Sequence, residues 1–154
     1  MLCLLLMAAC DGIDCTIKNV VMLNVGFYSS EDGSECSITD TLTVTAEGSD
    51  SVLYNKGSMV SKVTLPMSYW QEADTLHFHF FNLETGLDCD IVLRLEKSNT
   101  PHFESPDCPA TMFHELKAVT FDDSSSSIDS ITISNSSVNY DGQENVKIYL
   151  HTAD

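Results

Sequence analysis

The chain has 154 residues, enough for one domain with a buried core, and its 23 acidic and 7 basic residues give a formal net charge of -16 at pH 7. A negative field of this size repels phosphate backbones, so the composition argues against nucleic-acid binding. It also repels anionic lipid head groups, so a membrane attachment would need something other than a basic patch.

The N-terminal segment resembles a secretory signal. Residues 1–9 are almost wholly apolar, end in small side chains and are too few to cross a bilayer as a helix. The tetrapeptide Met7-Ala8-Ala9-Cys10 resembles the bacterial lipobox, in which a peptidase cuts before the cysteine and the cysteine then carries lipid. No Lys or Arg precedes the apolar run, which departs from the usual signal. We predict a lipoprotein signal peptide over residues 1–9 and lipidation at Cys10.

The segment after Cys10 predicts a short tether, residues 10–14, followed by a single domain over residues 15–154. Only four residues separate Cys10 from Cys15, so the domain would lie within ~20 Å of the lipid. Several acyl chains anchor a protein stably, whereas a single chain binds reversibly. The expected location is the cell envelope, with the domain lipid-anchored on a periplasmic or outer-membrane face.

The mature chain is dominated by alternating apolar and polar residues, broken at short intervals by clusters of Gly, Asp, Ser and Asn. This pattern predicts antiparallel strands and no long helix. The predicted strands are 19–28, 41–46, 51–54, 59–65, 74–81, 90–97, 112–121, 128–134 and 146–151. About nine strands exceed an average sheet, so we predict an all-β fold, an antiparallel β-sandwich of immunoglobulin-like or jelly-roll-like type.

Two adjacent aromatic residues, Tyr69 and Trp70, follow the predicted strand 59–65. Adjacent aromatic side chains in a loop can stack on a sugar or contact a partner protein, and they can also cap one end of a sandwich core. The pattern favours the capping role.

The segment His77-Phe78-His79-Phe80 places both imidazoles on one face of a predicted strand and both phenyl rings on the other. A His-x-His pair can chelate a metal, with a third ligand from elsewhere in the chain. The candidates for that ligand are His102, Glu104 and His114. No further ligand spacing marks a zinc site, so we expect both imidazoles on a polar outer face and predict no metal or other cofactor.

A nucleophile hypothesis arises from His102, Cys108 and His114, which are close in sequence. It requires a free thiol with a lowered pKa, and an exported protein more often oxidises such a thiol. No Gly-x-Ser-x-Gly, His-Glu-x-x-His or phosphate-binding glycine loop is present. A pair of carboxylates for glycoside hydrolysis stays open, because such residues are distant in sequence. We therefore predict no catalytic residue, with a metal-dependent or carboxylate-based hydrolase of the envelope as the alternative.

Acidic clusters at predicted strand ends would suit calcium, which prefers oxygen ligands. They occupy residues 88–90, 122–123 and 141–145. None matches the spacing of a calcium-binding loop, so solvated turns are favoured and any calcium binding is expected to be weak or absent.

The six cysteines are many for a cytosolic protein of this length, and no Cys-x-x-Cys pair typical of a metal site occurs. Cys3 would leave with the signal peptide and Cys10 would carry lipid. Four cysteines would then remain for disulfides: Cys15, Cys36, Cys89 and Cys108. Four cysteines allow three pairings, and the spacing alone leaves all three open.

Several short segments together resemble one family: 13–16 (IDCT), 26–29 (GFYS), 41–44 (TLTV), 65–67 (LPM), 99–108 (NTPHFESPDC), 138–141 (VNYD) and 144–148 (ENVKI). This is an uncharacterised lipoprotein family of gut Bacteroidales with a domain of unknown function, and the resemblance covers nearly the whole mature chain. It implies an envelope location and supplies no activity or catalytic residue. It also implies a disulfide between Cys15 and Cys108, which leaves Cys36 to pair with Cys89.

The sequence thus predicts a membrane-anchored envelope lipoprotein that acts as a non-enzymatic binding or structural module. Its expected partners are the membrane, through lipid at Cys10, and an envelope protein or a glycan. A Cys15–Cys108 disulfide would place the Cys108 loop at the membrane-proximal end, so the opposite end would carry any binding surface.

Overall fold

The computed structural model describes Cys15, residues 21–49 and residues 51–151, without the side chain of Lys56. This part of the chain forms ten strands and no helix. The strands are β1 (Met22–Ser29), β2 (Thr41–Ala46), β3 (Val52–Gly57), β4 (Lys62–Pro66), β5 (Ala73–Asn82), β6 (Leu87–His102), β7 (Thr111–Asp123), β8 (Ile128–Ile133), β9 (Ser137–Val138) and β10 (Val146–Leu150). The predictions for residues 1–9, Cys10 and the tether lie outside the described residues.

The strands form two sheets. The smaller sheet has the order β4-β1-β10-β8, and the larger has the order β3-β2-β5-β6-β7-β9. Every pair is antiparallel except β1 and β10, which run parallel from Val25–Val146 to Ser29–Leu150. The all-β sandwich predicted from the alternation is therefore present, with one parallel pair within the smaller sheet.

The core lies between the sheets because each strand directs its apolar residues inward. In β4 burial alternates residue by residue, and in β5 the residues Leu76, Phe78 and Phe80 are buried while the intervening histidines are half-buried. Phe27 of the smaller sheet contacts Phe78 of the larger in an edge-to-face arrangement, with ring centroids 6.5 Å apart. Burial of the inner face of each sheet fixes the register, since a shift by one residue would turn the apolar side chains of a strand to the outer face.

The parallel pair is braced by side chains from both of its strands. The hydroxyl of Tyr28 donates to the Glu144 carboxylate at 2.9 Å, and the Lys147 ammonium lies 4.6 Å from the Tyr28 ring centroid. A side chain at position 26 would collide with the Glu144 carboxylate, so Gly26 permits this approach. Burial and the bond to Glu144 raise the pKa of Tyr28 to about 12, so the hydroxyl remains a donor.

The two ends of the sandwich carry different loops. One end, which we call the hairpin end, has the β4–β5 loop (67–72) and the β6–β7 loop (103–110). Both loops lie there because β5 begins opposite Glu96 of β6, and the β6–β7 hairpin extends past Glu96 in the same direction. The turn end has the β5–β6 turn (83–86), the β7–β8 turn (124–127) and the link 36–40. The 16 residues of β6 span most of the distance between the ends, about 50 Å of extended chain.

The strand boundaries differ from the predictions where side-chain pattern is a poor guide. The predicted strand 90–97 extends to Leu87–His102, because it pairs with β5 and β7 along different parts of its length. The two-residue strand β9 is missing from the predictions, since two residues show no alternation. No helix in the described part of the chain is long and apolar enough to cross a membrane.

Candidate functional site

A cavity of about 530 Å³ opens between the two sheets at the turn end. Its apolar lining comes from both sheets and from the link 36–40: Ile38, Phe80, Leu87, Ile91 and Leu150. The link is held in place because Ile38 and Val60 exchange backbone hydrogen bonds of 2.9 and 3.1 Å. These residues are far apart in sequence, so no sequence pattern indicated the cavity.

Polar residues on the cavity lining are held by hydrogen bonds. The Asp40 carboxylate accepts from Asn82 Nδ2 at 2.6 Å, and Asn82 Oδ1 accepts from the backbone N–H groups of Glu84 and Thr85 in the β5–β6 turn. The backbone N–H of His151 donates to the Ser127 carbonyl at 2.9 Å. Asp40 and His151 therefore lie on the cavity lining, the first held through its carboxylate and the second through its backbone N–H.

Cys36 and Cys89 also line the cavity, and both are free thiols. The predicted Cys36–Cys89 disulfide is therefore wrong. Cys36 is hydrogen-bonded through its N–H to Phe27 of the smaller sheet, whereas Cys89 pairs with Phe80 in the larger sheet. Packed sheets are ~10 Å apart, while the Cα atoms of a disulfide lie within ~7 Å. Burial raises the pKa of both thiols, so they remain protonated near neutral pH.

At the hairpin end, Cys15 is bonded to Cys108, with Cα atoms 5.6 Å apart. This is the pairing that the resemblance implied. The bond removes the free thiol that the nucleophile hypothesis needs at Cys108. The two histidines of that hypothesis are also occupied elsewhere: His102 stacks on Phe113 with ring centroids 4.3 Å apart, and His114 Nδ1 lies 2.7 Å from Asn99 Oδ1.

A buried polar network lies beneath the β4–β5 loop. The Lys97 side chain is fully buried, and its ammonium donates to the carbonyls of Ser68 at 2.6 Å and Gln71 at 2.8 Å. It also donates to Asn99 Oδ1 at 3.0 Å and lies 3.5 Å from the Asp74 carboxylate. Burial lowers the pKa of Lys97, while the Asp74 carboxylate opposes this change.

His114 completes the network and is held neutral. Burial, and then repulsion by the Lys97 ammonium, lower its pKa from 6.5 to about 4, against the opposing effect of Asp74. Since Nδ1 donates to Asn99, Nε2 carries no proton, and it has no hydrogen-bond partner among the described residues.

The aromatic pair in the β4–β5 loop faces solvent. Tyr69 is 52% exposed and Trp70 is 82% exposed, whereas Met67 is buried. The prediction that Tyr69 and Trp70 cap the core is therefore wrong. The Lys97 ammonium binds the carbonyls on either side of the pair, which turns this segment away from the core.

His77 and His79 lie half-buried on the outer face of β5, opposite the core phenyl rings, as the alternation predicted. His79 Nδ1 is 3.1 Å from the Asp90 carboxylate, and the third-ligand candidates lie on the distant part of the β6–β7 hairpin. In the part of the chain that the structure describes, no group of three or more His, Cys, Asp or Glu side chains could hold a metal ion.

The acidic loops use carboxylates to stabilise turns. Asp123 accepts from the backbone N–H groups of Ser125 and Ile128 at 2.9 and 2.7 Å. Asp141 accepts from the backbone N–H of Gln143 at 2.9 Å. Such bonds between a side chain and nearby backbone are typical of Asp in turns.

The described residues thus form a β-sandwich with a disulfide at one end and a cavity at the other. Residues 41–150, well over half of the chain, match the DUF6452 family of unknown function, and the chain belongs to this family. The matched region begins at β2 and includes Lys97 and Trp70, but it leaves out β1 and Cys15. No curated protein and no solved structure matches the chain.

Proposed function

We propose that this protein is a lipoprotein of the cell envelope, of the Bacteroidales type, that binds a small and largely apolar ligand in the cavity at its turn end. The observation that carries the proposal is the cavity of about 530 Å³ between the sheets. Its volume lies within the ~300–1,000 Å³ of small-molecule sites, which also combine an apolar lining with a few placed polar groups.

The charges around the cavity favour a neutral or cationic ligand. Asp40 contributes a carboxylate to the lining, and the chain has a formal net charge of -16. An anionic ligand would approach against this field. Binding without chemistry is supported by Cys36 and Cys89, because thiols whose pKa is raised by burial are poor nucleophiles near neutral pH.

The position of the disulfide supports a cavity that faces away from the membrane. Cys108 lies in the loop at the hairpin end, and its bond to Cys15 ties the start of the domain to that end. Lipid at Cys10 would then hold the hairpin end within ~20 Å of the bilayer. The turn end, with the cavity, would be directed outward.

The cavity can be tested with Ser127→Phe, which places a phenyl ring at a half-buried lining position. A neutral dye that fluoresces in apolar surroundings should bind the wild type, and bind Ser127→Phe at least about tenfold more weakly because the volume is filled. Ser124→Phe, in the exposed part of the same turn, is the matched control and should bind as the wild type does. Equal binding by the wild type and Ser127→Phe contradicts the proposed site.

The anchor is tested separately with Cys10→Ser. In a host that processes lipoproteins, the wild type should enter the detergent phase on phase separation, and Cys10→Ser should stay in the aqueous phase because it lacks acyl chains. Cys3→Ser, which also removes a thiol from the N-terminal segment, should behave as the wild type. A Cys10→Ser protein in the detergent phase contradicts the anchor and leaves the cavity proposal standing.

A further inference from the structure

Three large aromatic side chains are exposed in the loops of the hairpin end: Tyr69 at 52%, Trp70 at 82% and Phe103 at 60%. We call them the aromatic patch. We propose that the aromatic patch inserts into the head-group region of the bilayer that holds the protein, so that the domain docks on the membrane at a defined angle. This inference rests on the lipid anchor of the proposed function and is independent of the cavity.

The β4–β5 loop presents its two aromatic residues on a fixed backbone. The carbonyls of Ser68 and Gln71, which flank Tyr69 and Trp70, both accept from the Lys97 ammonium, at 2.6 and 2.8 Å. The side-chain amide of Asn99 donates to the same Gln71 carbonyl at 2.9 Å. A loop held in this way keeps its aromatic side chains in solvent, where they remain available to a second surface.

Phe103 lies at the same end, in the β6–β7 loop. It follows β6 directly and is four residues beyond Asn99. Phe103 is therefore about 13 Å further along the extended hairpin than Asn99, which contacts the β4–β5 loop. Its loop also contains Cys108, which is bonded to Cys15. A lipidated Cys10 would lie within ~20 Å of Cys15, so the anchored bilayer surface is in reach of Phe103 and, with a tilt of the domain, of Trp70.

The residue types favour a lipid surface over other partners at this end. Tyr and Trp are enriched at the head-group level, where an apolar ring with one polar group is partly buried in acyl chains and partly hydrated. Three carboxylates are close in sequence to the aromatic patch: Glu72, Glu104 and Asp107. They would be repelled by anionic lipids, so the fitting surface is a zwitterionic one, such as phosphatidylethanolamine with phosphatidylcholine.

The test uses Trp70, which is the sole tryptophan of the chain. The lipidated protein is reconstituted into zwitterionic vesicles whose acyl chains carry bromine, which quenches indole fluorescence at short range. Docked side chains lie roughly 5–10 Å into the head-group boundary, so we expect Trp70 emission to shift to shorter wavelength and to fall to about half. The soluble Cys10→Ser protein without vesicles gives the reference spectrum.

Two further reporters define the orientation. Phe103→Trp in a Trp70→Phe background should be quenched as Trp70 is, because it belongs to the aromatic patch. Leu83→Trp in the same background is the control: Leu83 is 84% exposed in the turn at the opposite end and should keep its emission. Equal quenching at position 83 means that the domain has no fixed orientation and overturns the proposal.

A second arm separates this inference from the anchor itself. Residues 1–10, including Cys10, are replaced by a hexahistidine tag held on nickel-chelating lipids. The tether then begins at Asp11, and attachment to the vesicle no longer depends on acylation. Quenching of Trp70 in this arm supports docking even if the Cys10→Ser experiment contradicts lipidation. An unshifted and unquenched Trp70 in this arm overturns docking.

Discussion

The Lys97 side chain places an ammonium group in a core that is otherwise largely apolar. It is fully buried, yet it has donors directed at Ser68, Gln71 and Asn99 and a carboxylate partner in Asp74. A buried charge persists only where such partners replace its hydration. The network is therefore a single unit, in which the loss of one member leaves the others without partners.

Lys97→Met is expected to lower the free energy of unfolding by about 3 kcal/mol, because the shape is kept while the Asp74 carboxylate and two carbonyls lose their donor. Urea unfolding measures the change. Lys117→Met, on an exposed position of β7, should change stability by less than about 0.5 kcal/mol. A loss for Lys97→Met that is as small as the loss for Lys117→Met would show that the buried network adds no stability.

His114 predicts a pH dependence of stability. Its pKa in the folded protein is about 4, whereas the ordinary value is 6.5. Between these values the unfolded chain binds a proton that the folded chain does not, so this contribution is complete above about pH 6.5 and is lost as the pH falls towards 4, by about 3 kcal/mol at most. His114→Gln, which cannot titrate, should lose less stability over this interval than the wild type.

The measurement is urea unfolding at a series of pH values. Comparing the variants with the wild type cancels the contribution of the titrating carboxylates, which all of them share. His151→Gln, at an exposed histidine, should follow the wild type. Parallel losses for His114→Gln and the wild type would contradict the neutral, buried state assigned to His114.

Among the elements, the β6–β7 hairpin carries a covalent link from its loop to a residue outside its own strands. The Cys15–Cys108 bond closes a loop with a sequence separation of 93 residues. Cys108→Ser should lower the free energy of unfolding by about 4 to 5 kcal/mol if the loss of chain entropy in the unfolded state dominates. Cys36→Ser, at a free thiol, should cost much less.

Peptide mapping without reduction checks the connectivity directly. We expect a Cys15 peptide linked to a Cys108 peptide, with Cys36 and Cys89 both alkylated. A linked Cys36–Cys89 pair would mean that the two sheets approach more closely at the turn end than the structure shows.

Sequence pattern correctly predicted those features of the fold that depend only on residues close together in the chain. The alternation in β5 correctly placed Phe78 in the core and the histidines on the outer face. The exposure of Trp70 was mispredicted because the loop is held by Lys97, which is distant from it in sequence. The cavity likewise arises where Ile38, Phe80 and Leu150 from separate strands and a link fail to fill the space between sheets. Local pattern carries no information on such packing.

For the whole molecule, the acidic surface raises the question of calcium. The carboxylates of Asp123 and Asp141 already accept hydrogen bonds from their own turns. We therefore expect millimolar calcium to raise the Tm by less than ~5 °C, since a ligand that binds the native state raises Tm by mass action. Thermal melts with calcium, and with magnesium as the control, measure the effect. A larger rise with calcium alone would reveal a specific site.

The parallel pairing of β1 with β10 has a consequence for the order of folding. All strands of the larger sheet lie between residues 41 and 138, so that sheet can assemble as soon as this stretch has been synthesised. The smaller sheet cannot, because β1 lies between β4 and β10 and must wait for residues 146–150. Contacts of such long sequence separation slow folding. A chain emerging from a ribosome or a translocation channel therefore holds β1 unpaired on one edge until β10 arrives.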